Sequence, residues 1–166
     1  MAAIEAGSRA ADFTLPALDS KTYALGESLK GGPVLAAFFK SNCPVCQFTF
    51  PFLERFHRHF RETKAHIWAV SQDEPDEARE FAADYGLTMP VLLDDVNDNY
   101  PVSNAYGLTY VPSVFLIGQN GEILHSSVGF VRKDLLQIAR KLETLTGKKG
   151  FVPFRDDDDV PDYRGG

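Results

Sequence analysis

The chain has 166 residues, 44% of them hydrophobic, enough for one sizeable core and too few for two full domains. Its formal net charge of −6, from 23 acidic against 17 basic residues, argues against a surface built to neutralise nucleic-acid phosphates. The longest apolar run, Pro33 to Phe39, falls far short of the roughly 20 residues a membrane-crossing helix needs, so no membrane span is expected.

Met1 to Leu15 carries Glu5, Arg9 and Asp12 and lacks a basic start followed by an apolar stretch, which points to a cytoplasmic protein; an extracytoplasmic one would require a leader outside this sequence. Asp12 to Pro16 and Thr22 to Leu25 then read as short extended segments around the turn-like Asp19-Ser20, forming an N-terminal hairpin. Val34 to Phe39 is a continuous apolar run between Gly31-Gly32-Pro33 and Lys40-Ser41-Asn42, as expected of a strand buried on both faces. From Pro44 to Arg61 the residues Val45, Phe48, Phe52, Leu53, Phe56 and Phe60 recur at helical steps, predicting an amphipathic helix kinked at Pro51. His66 to Ser71 is a further strand. Pro75 to Tyr85 follows as a helix, with Asp73, Glu74, Asp76 and Glu77 at its positive end and Gly86 as its stop.

Val91 to Leu93, Asn99 to Tyr106 and Ser113 to Ile117 alternate as strand, short helix and strand. Gln119-Asn120-Gly121 turns the chain into Ile123 to Val128, a C-terminal hairpin. Arg132 to Leu145 is a closing helix, with Leu135, Leu136, Ile138, Ala139 and Leu142 apolar and Gly147 where it ends. This order describes an α/β sandwich, a mixed sheet flanked by helices. Residues 148–166 mix basic, acidic, Pro and Gly residues without periodicity and include the acid run Asp156 to Asp159. The expected division is a domain over 1–147 and an acidic, mobile or surface-draped tail over 148–166.

Both cysteines fall in one window, Cys43-Pro44-Val45-Cys46, where the apolar strand ends and the amphipathic helix begins. A disulfide closing so short a loop constrains the unfolded chain little, so redox chemistry explains the spacing better than stabilisation does. With Cys43 at the cap, Pro44 fits the first helical position, where no N–H is needed, and Cys46 lies one turn further in, close enough to form a disulfide. The unpaired N–H groups of a helix start favour an anion, which assigns the nucleophile to the more exposed Cys43. Cys43 then attacks a substrate disulfide and Cys46 resolves the mixed disulfide; the steps reverse for an oxidant.

The chain resembles the thioredoxin-like redoxins, particularly the TlpA/ResA and AhpC/TSA-type group. Four stretches between Ser8 and Leu145 carry the resemblance: Ala11-Asp12-Phe13-Thr14-Leu15-Pro16, Phe38-Phe39 through Cys43-Pro-Val-Cys46, Tyr106-Gly107-Leu108-Thr109-Tyr110-Val111-Pro112-Ser113, and Phe115-Leu116-Ile117 followed by Asn120-Gly121. It implies a three-layer α/β/α sandwich with a mixed central sheet and the hairpin added at its N-terminal end. It implies a thiol–disulfide oxidoreductase that exchanges its dithiol with protein thiols, as a reductant, without a cofactor. Protein disulfides or dithiols are then the substrates, recharged by an upstream thiol reductant. By the same resemblance Pro112 is a cis-proline facing the dithiol, Val111 offers its backbone to an extended substrate, and Pro44 and Val45 border that substrate-binding surface.

Departures from the family pattern set further expectations. Asn42 stands where a Trp often precedes the first cysteine, and Ala37 stands where thioredoxins hold a buried acid; similarity to ResA-like proteins moves possible proton transfer to Asp73 or Glu74. Lys40 and Ala36 occupy the positions where a peroxiredoxin carries a hydroxyl residue and a proline, which weakens the reading as an AhpC/TSA-type thiol peroxidase and leaves it the enzymatic runner-up. A non-catalytic binding module switched by the Cys pair is the alternative outside enzymology. A tetrahedral metal site needs four ligands, and His57 lies about 16 Å beyond Cys46 along a straight helix, so no metal site is expected. His57 and His59 read as solvated helix residues.

Overall fold

The computed structural model describes residues 3–166; Met1 and Ala2, counted in the expected 1–147 domain, lie outside the described residues. In chain order the elements are β1 (Thr14–Pro16), β2 (Thr22–Ala24), α1 (Leu25–Leu29), β3 (Val34–Phe39), α2 (Pro44–Phe60), β4 (His66–Ser71) and α3 (Pro75–Asp84). They continue as β5 (Val91–Leu93), α4 (Pro101–Ala105), β6 (Ser113–Ile117), β7 (Ile123–Val128), β8 (Phe130–Val131), α5 (Arg132–Thr146) and β9 (Tyr163–Arg164). The main sheet has the order β5-β4-β3-β6-β7, with β3, β4 and β5 parallel and β6 and β7 antiparallel to their neighbours. β1 and β2 form the separate antiparallel hairpin expected at the start.

Side chains alternate across the pleat, so each strand feeds two cores. Leu35, Ala37 and Phe39 of β3 face α2, α3 and α5, while Val34, Ala36 and Phe38 face the hairpin, α1 and α4. The sandwich therefore has three layers, as the sequence predicts. Pro51 sits inside the uninterrupted helix α2. α1 is an addition: the sequence reading ends an extended segment at Leu25, whereas Leu25 and Leu29 are the buried ends of a five-residue helix. Its single turn is too short for periodicity to show.

Residues 148–166 require a correction. Their sequence suggests a mobile or merely draped tail, yet Phe151 and Phe154 are buried in the same core as α2 and α5. The Phe151 ring meets Phe56 at 4.7 Å and stacks on His59 at 4.8 Å, so His59 is a partner of the core and not a solvated residue. Asp158, in the middle of the acid run, accepts two hydrogen bonds from Arg55 at 2.6 and 3.1 Å, which hold its carboxyl down to about 2. Further on, β9 pairs antiparallel with β8. Burying a phenylalanine side chain is worth about 1.5–3 kcal/mol, so two of them anchor a segment that lacks any repeating pattern.

Candidate active site

Cys43 is the N-cap of α2, in extended conformation (φ −95°, ψ 113°), and Pro44 occupies the first turn. Capping is done by sulfur: Cys43 Sγ accepts from the Cys46 backbone N–H at 3.2 Å. One of the donors that a helix start leaves without an intrahelical partner is thus satisfied by the Cys43 sulfur. Both cysteines are free, and they differ sharply in access: Cys43 is half-buried, whereas Cys46 is fully buried. Burial first, and then its hydrogen bond to Cys43, push the Cys46 thiol well above its ordinary value; the charge of Asp73 adds to this, and a hydrogen bond with the Lys40 backbone works the other way. At about pH 8 iodoacetamide is therefore expected to modify Cys43 and spare Cys46, because only the thiolate reacts. Mass spectrometry of the folded, reduced protein would show one adduct; two adducts at equal rates would contradict this asymmetry.

The second wall of the site comes from far along the chain. Val111-Pro112 is a cis peptide bond, and the Val111 carbonyl lies 3.5 Å from Cys43 Sγ, within reach of the thiol as donor. Pro112 leads directly into β6, which lies beside β3, and the two central strands thereby bring the 111–112 turn to the start of α2. Pro44 is exposed beside Cys43, and Val45 is half-buried against the α2-side core. A groove of about 500 Å³ runs from Cys43 and Pro44 past Tyr110 and Val111 to Lys40, Gln72 and Tyr100.

The two candidate acids separate. Asp73 accepts from the Ser41 N–H at 2.8 Å, from the Ser41 hydroxyl at 3.0 Å and from the Ser71 hydroxyl at 3.1 Å, fastening the loop that leads into Cys43 to the end of β4. Glu74 is exposed at the N-cap of α3 and makes no capping hydrogen bond there. Lys40 places its ammonium 5.7 Å from the centre of the Tyr100 ring, on the groove wall.

Sequence reasoning missed the rest of that wall. Gln72 donates to the Ser103 hydroxyl at 2.8 Å, and Ser103 donates to the buried Asp94 at 2.6 Å, whose carboxylate also accepts from the Ser103 and Val102 N–H groups. This chain joins the end of β4, the end of β5 and the start of α4. The available signal is a helix start, Pro101, a few residues beyond an acid, but the choice of Asp94 over Asp95 or Asp98 depends on burial.

A mixed sheet between helical layers, with a Cys-x-x-Cys dithiol at a helix start facing a cis-proline turn, defines a thioredoxin-type thiol–disulfide oxidoreductase. The model of the AhpC/TSA family matches residues 6–126, and the chain belongs to that family, within its ResA-like redoxins. The thiol-disulfide oxidoreductase ResA of Halalkalibacterium halodurans is 30% identical over 133 residues, covering 80% of this chain and 73% of that protein. ResA of Geobacillus kaustophilus is 31% identical over 144 residues, covering 86% of this chain and 79% of the relative. Among solved structures, the thioredoxin domain of a thiol-disulfide oxidoreductase from Bacteroides vulgatus superposes with a TM-score of 0.73 at 22% identity, covering 84% of this chain and 98% of that one, a match of fold. The chain is an oxidoreductase acting on protein thiols. No described helix is long and apolar enough to cross a membrane.

Proposed function

We infer that the protein is a dithiol reductant of protein disulfides, with Cys43 as nucleophile and Cys46 as resolving thiol. The observation that carries this reading is the asymmetry at the start of α2: one sulfur accessible and capped by a backbone N–H, the other buried and held as a thiol. The Cys43 thiolate attacks one sulfur of a substrate disulfide, a Cys43–substrate bond forms, and the other substrate sulfur leaves as a thiolate that takes up a proton. Cys46 then gives up its proton and attacks Cys43 Sγ. The Cys43–Cys46 disulfide forms and the second substrate thiol is released, so two electrons have passed from protein to substrate. An upstream dithiol must return them before the next cycle.

The reductant direction is supported by the surroundings of Cys43. A strongly oxidising pair needs its reduced form specially stabilised. Among the described residues Cys43 Sγ meets the Cys46 N–H and the Val111 carbonyl, and the nearby cation, Lys40, is turned to Tyr100. Val111 and Pro112 serve as the edge against which an extended substrate lies, with Pro44 and Val45 bordering it. Of the two acids, Asp73 suits proton handling better, since it is bound to Ser41 in the loop that leads into the dithiol, whereas Glu74 is exposed at the start of α3. The peroxidase alternative has less support: Lys40, at the position of the hydroxyl residue, ends at Tyr100 and supplies no hydroxyl to orient peroxide, and Ala36, at the position of the proline, is a buried residue of β3.

The test is the reduction potential, measured by equilibrating the protein with graded dithiothreitol or glutathione ratios and counting free thiols. A value near thioredoxin's, about −270 mV, is expected, and one near about −120 mV would make the protein an oxidant instead. Absence of any two-thiol transition would remove the redox reading altogether.

A further inference from the structure

Residues 163–166 continue the sheet edge that begins at β8. Phe130 pairs with Arg164 and Val131 with Tyr163, and the Arg132 N–H donates to the Asp162 carbonyl at 3.0 Å. Beyond that ladder the segment runs onto the cis-proline turn. A Cβ on Gly166 would lie 1.9 Å from the Val111 carbonyl oxygen, the same oxygen that faces Cys43 Sγ, so only glycine allows this approach. Gly129, with φ +80°, likewise meets the strap closely: a Cβ there would lie 2.6 Å from the Arg164 carbonyl oxygen. Gly129 is itself tied to the turn, its N–H donating to the Pro112 carbonyl at 2.8 Å. Gly166 lines the same groove as Cys43 and Pro44.

We propose that residues 163–166 are an internal strap lying in the lane an extended substrate peptide uses beside Cys43 and Val111, so that a substrate must displace the strap to dock. The inference rests on the reading of Val111 as the docking edge. The strap has the form of such a peptide: extended, antiparallel to β8, with glycine against the turn and the Arg164 guanidinium 4.6 Å above the Phe48 ring. It is also the weakly held part of the tail. Its ladder spans two residues, Tyr163 is 62% exposed, and Gly165 and Gly166 lose more conformational freedom on ordering than other residues do. The buried Phe151 and Phe154 stay in place when it lifts, because they are anchored separately in the α2-side core. A protein whose docking lane is free only part of the time binds substrate more weakly by that fraction.

The experiment uses the Cys46→Ser protein, in which Cys43 captures a disulfide and stops. Two probes are compared: dithiodipyridine, and an extended peptide whose single cysteine is activated as its thiopyridyl disulfide. In each reaction the Cys43 thiolate forms a new S–S bond and pyridinethione leaves, so its absorbance gives the rate. Ending the chain at Asp162 is expected to speed capture of the peptide about fivefold or more while leaving dithiodipyridine within about twofold. Gly166→Val, which keeps the chain length but cannot sit against Val111, is expected to act in the same direction and decides the matter if the shortened chain misfolds. An unchanged peptide rate in both variants, or equal acceleration of both probes, overturns the proposal. Capture by Cys43 needs only a reactive thiol, so a protein that captures disulfides but fails to turn them over counts against the reductase reading and leaves this comparison intact.

Discussion

Cys43→Ser is expected to abolish disulfide exchange, lowering the rate of protein-disulfide reduction at least about a thousandfold, as loss of the nucleophile does in covalent mechanisms. A serine hydroxyl at the helix cap keeps the hydrogen bond from the Cys46 N–H, because oxygen accepts there as sulfur does, so the fold should survive while the chemistry is lost. Replacing the other sulfur has a different result. In Cys46→Ser the first step still proceeds and the second cannot, so covalent complexes with substrate accumulate and are released by dithiothreitol. Cys46 is fully buried, and a hydroxyl there costs roughly 1–3 kcal/mol if it finds no partner, which the folded state should tolerate. Non-reducing electrophoresis with mass spectrometry of the trapped species checks both outcomes. Full exchange activity in both variants would show that the dithiol is not the working group.

Phe151→Ala is expected to destabilise the protein by about 3–5 kcal/mol, the range for emptying a buried phenylalanine site. The ring fills the space between Phe56, Phe60 and His59, all on α2. Its backbone is also fixed: the Phe151 N–H donates to the Glu143 carboxylate at 3.0 Å, and Arg140 donates to the Phe151 carbonyl. No small side chain can be pulled in to close the cavity, because the segment is pinned at both backbone groups. Urea unfolding followed by circular dichroism reads the effect. A change below about 1 kcal/mol, the size expected of a residue on a solvated tail, would show that residues 148–166 contribute nothing to the core.

How much of this was legible from the sequence depended on whether a residue's partners were near in the chain. Val34 to Phe39 and His66 to Ser71 could be read to the residue, because a strand buried on both faces leaves an apolar run with polar ends. Cys43 at the cap and Pro44 in the first turn followed from local rules of helix termini. Pro112 as a cis-proline came only from the resemblance to the redoxins, since no local rule reveals a cis bond, and the structure gives it that bond. The tail could not be read this way. Phe151 and Phe154 enclose only Val152 and Pro153, a four-residue apolar stretch between a basic pair and an acid run that is too short to show any period, and what buries them is an α2 surface encoded about a hundred positions earlier. The groove wall was hidden for the same reason: Gln72, Asp94 and Ser103 each look like ordinary loop or helix-start residues until three elements bring them together. Asp73 was one of two candidate acids that the resemblance offered, with Glu74, but its hold on Ser41 could not be read.

The late anchoring of the tail sets an order of events during synthesis. Arg55 leaves the ribosome 103 residues before its partner Asp158, and Phe56 and Phe60 precede Phe151 by a similar interval. At the usual pace of translation, about 5–20 residues per second, that is a wait on the order of 5–20 s. Throughout it the nascent helix that carries the dithiol has an uncovered aromatic flank, a surface of the kind that recruits holding chaperones and promotes aggregation.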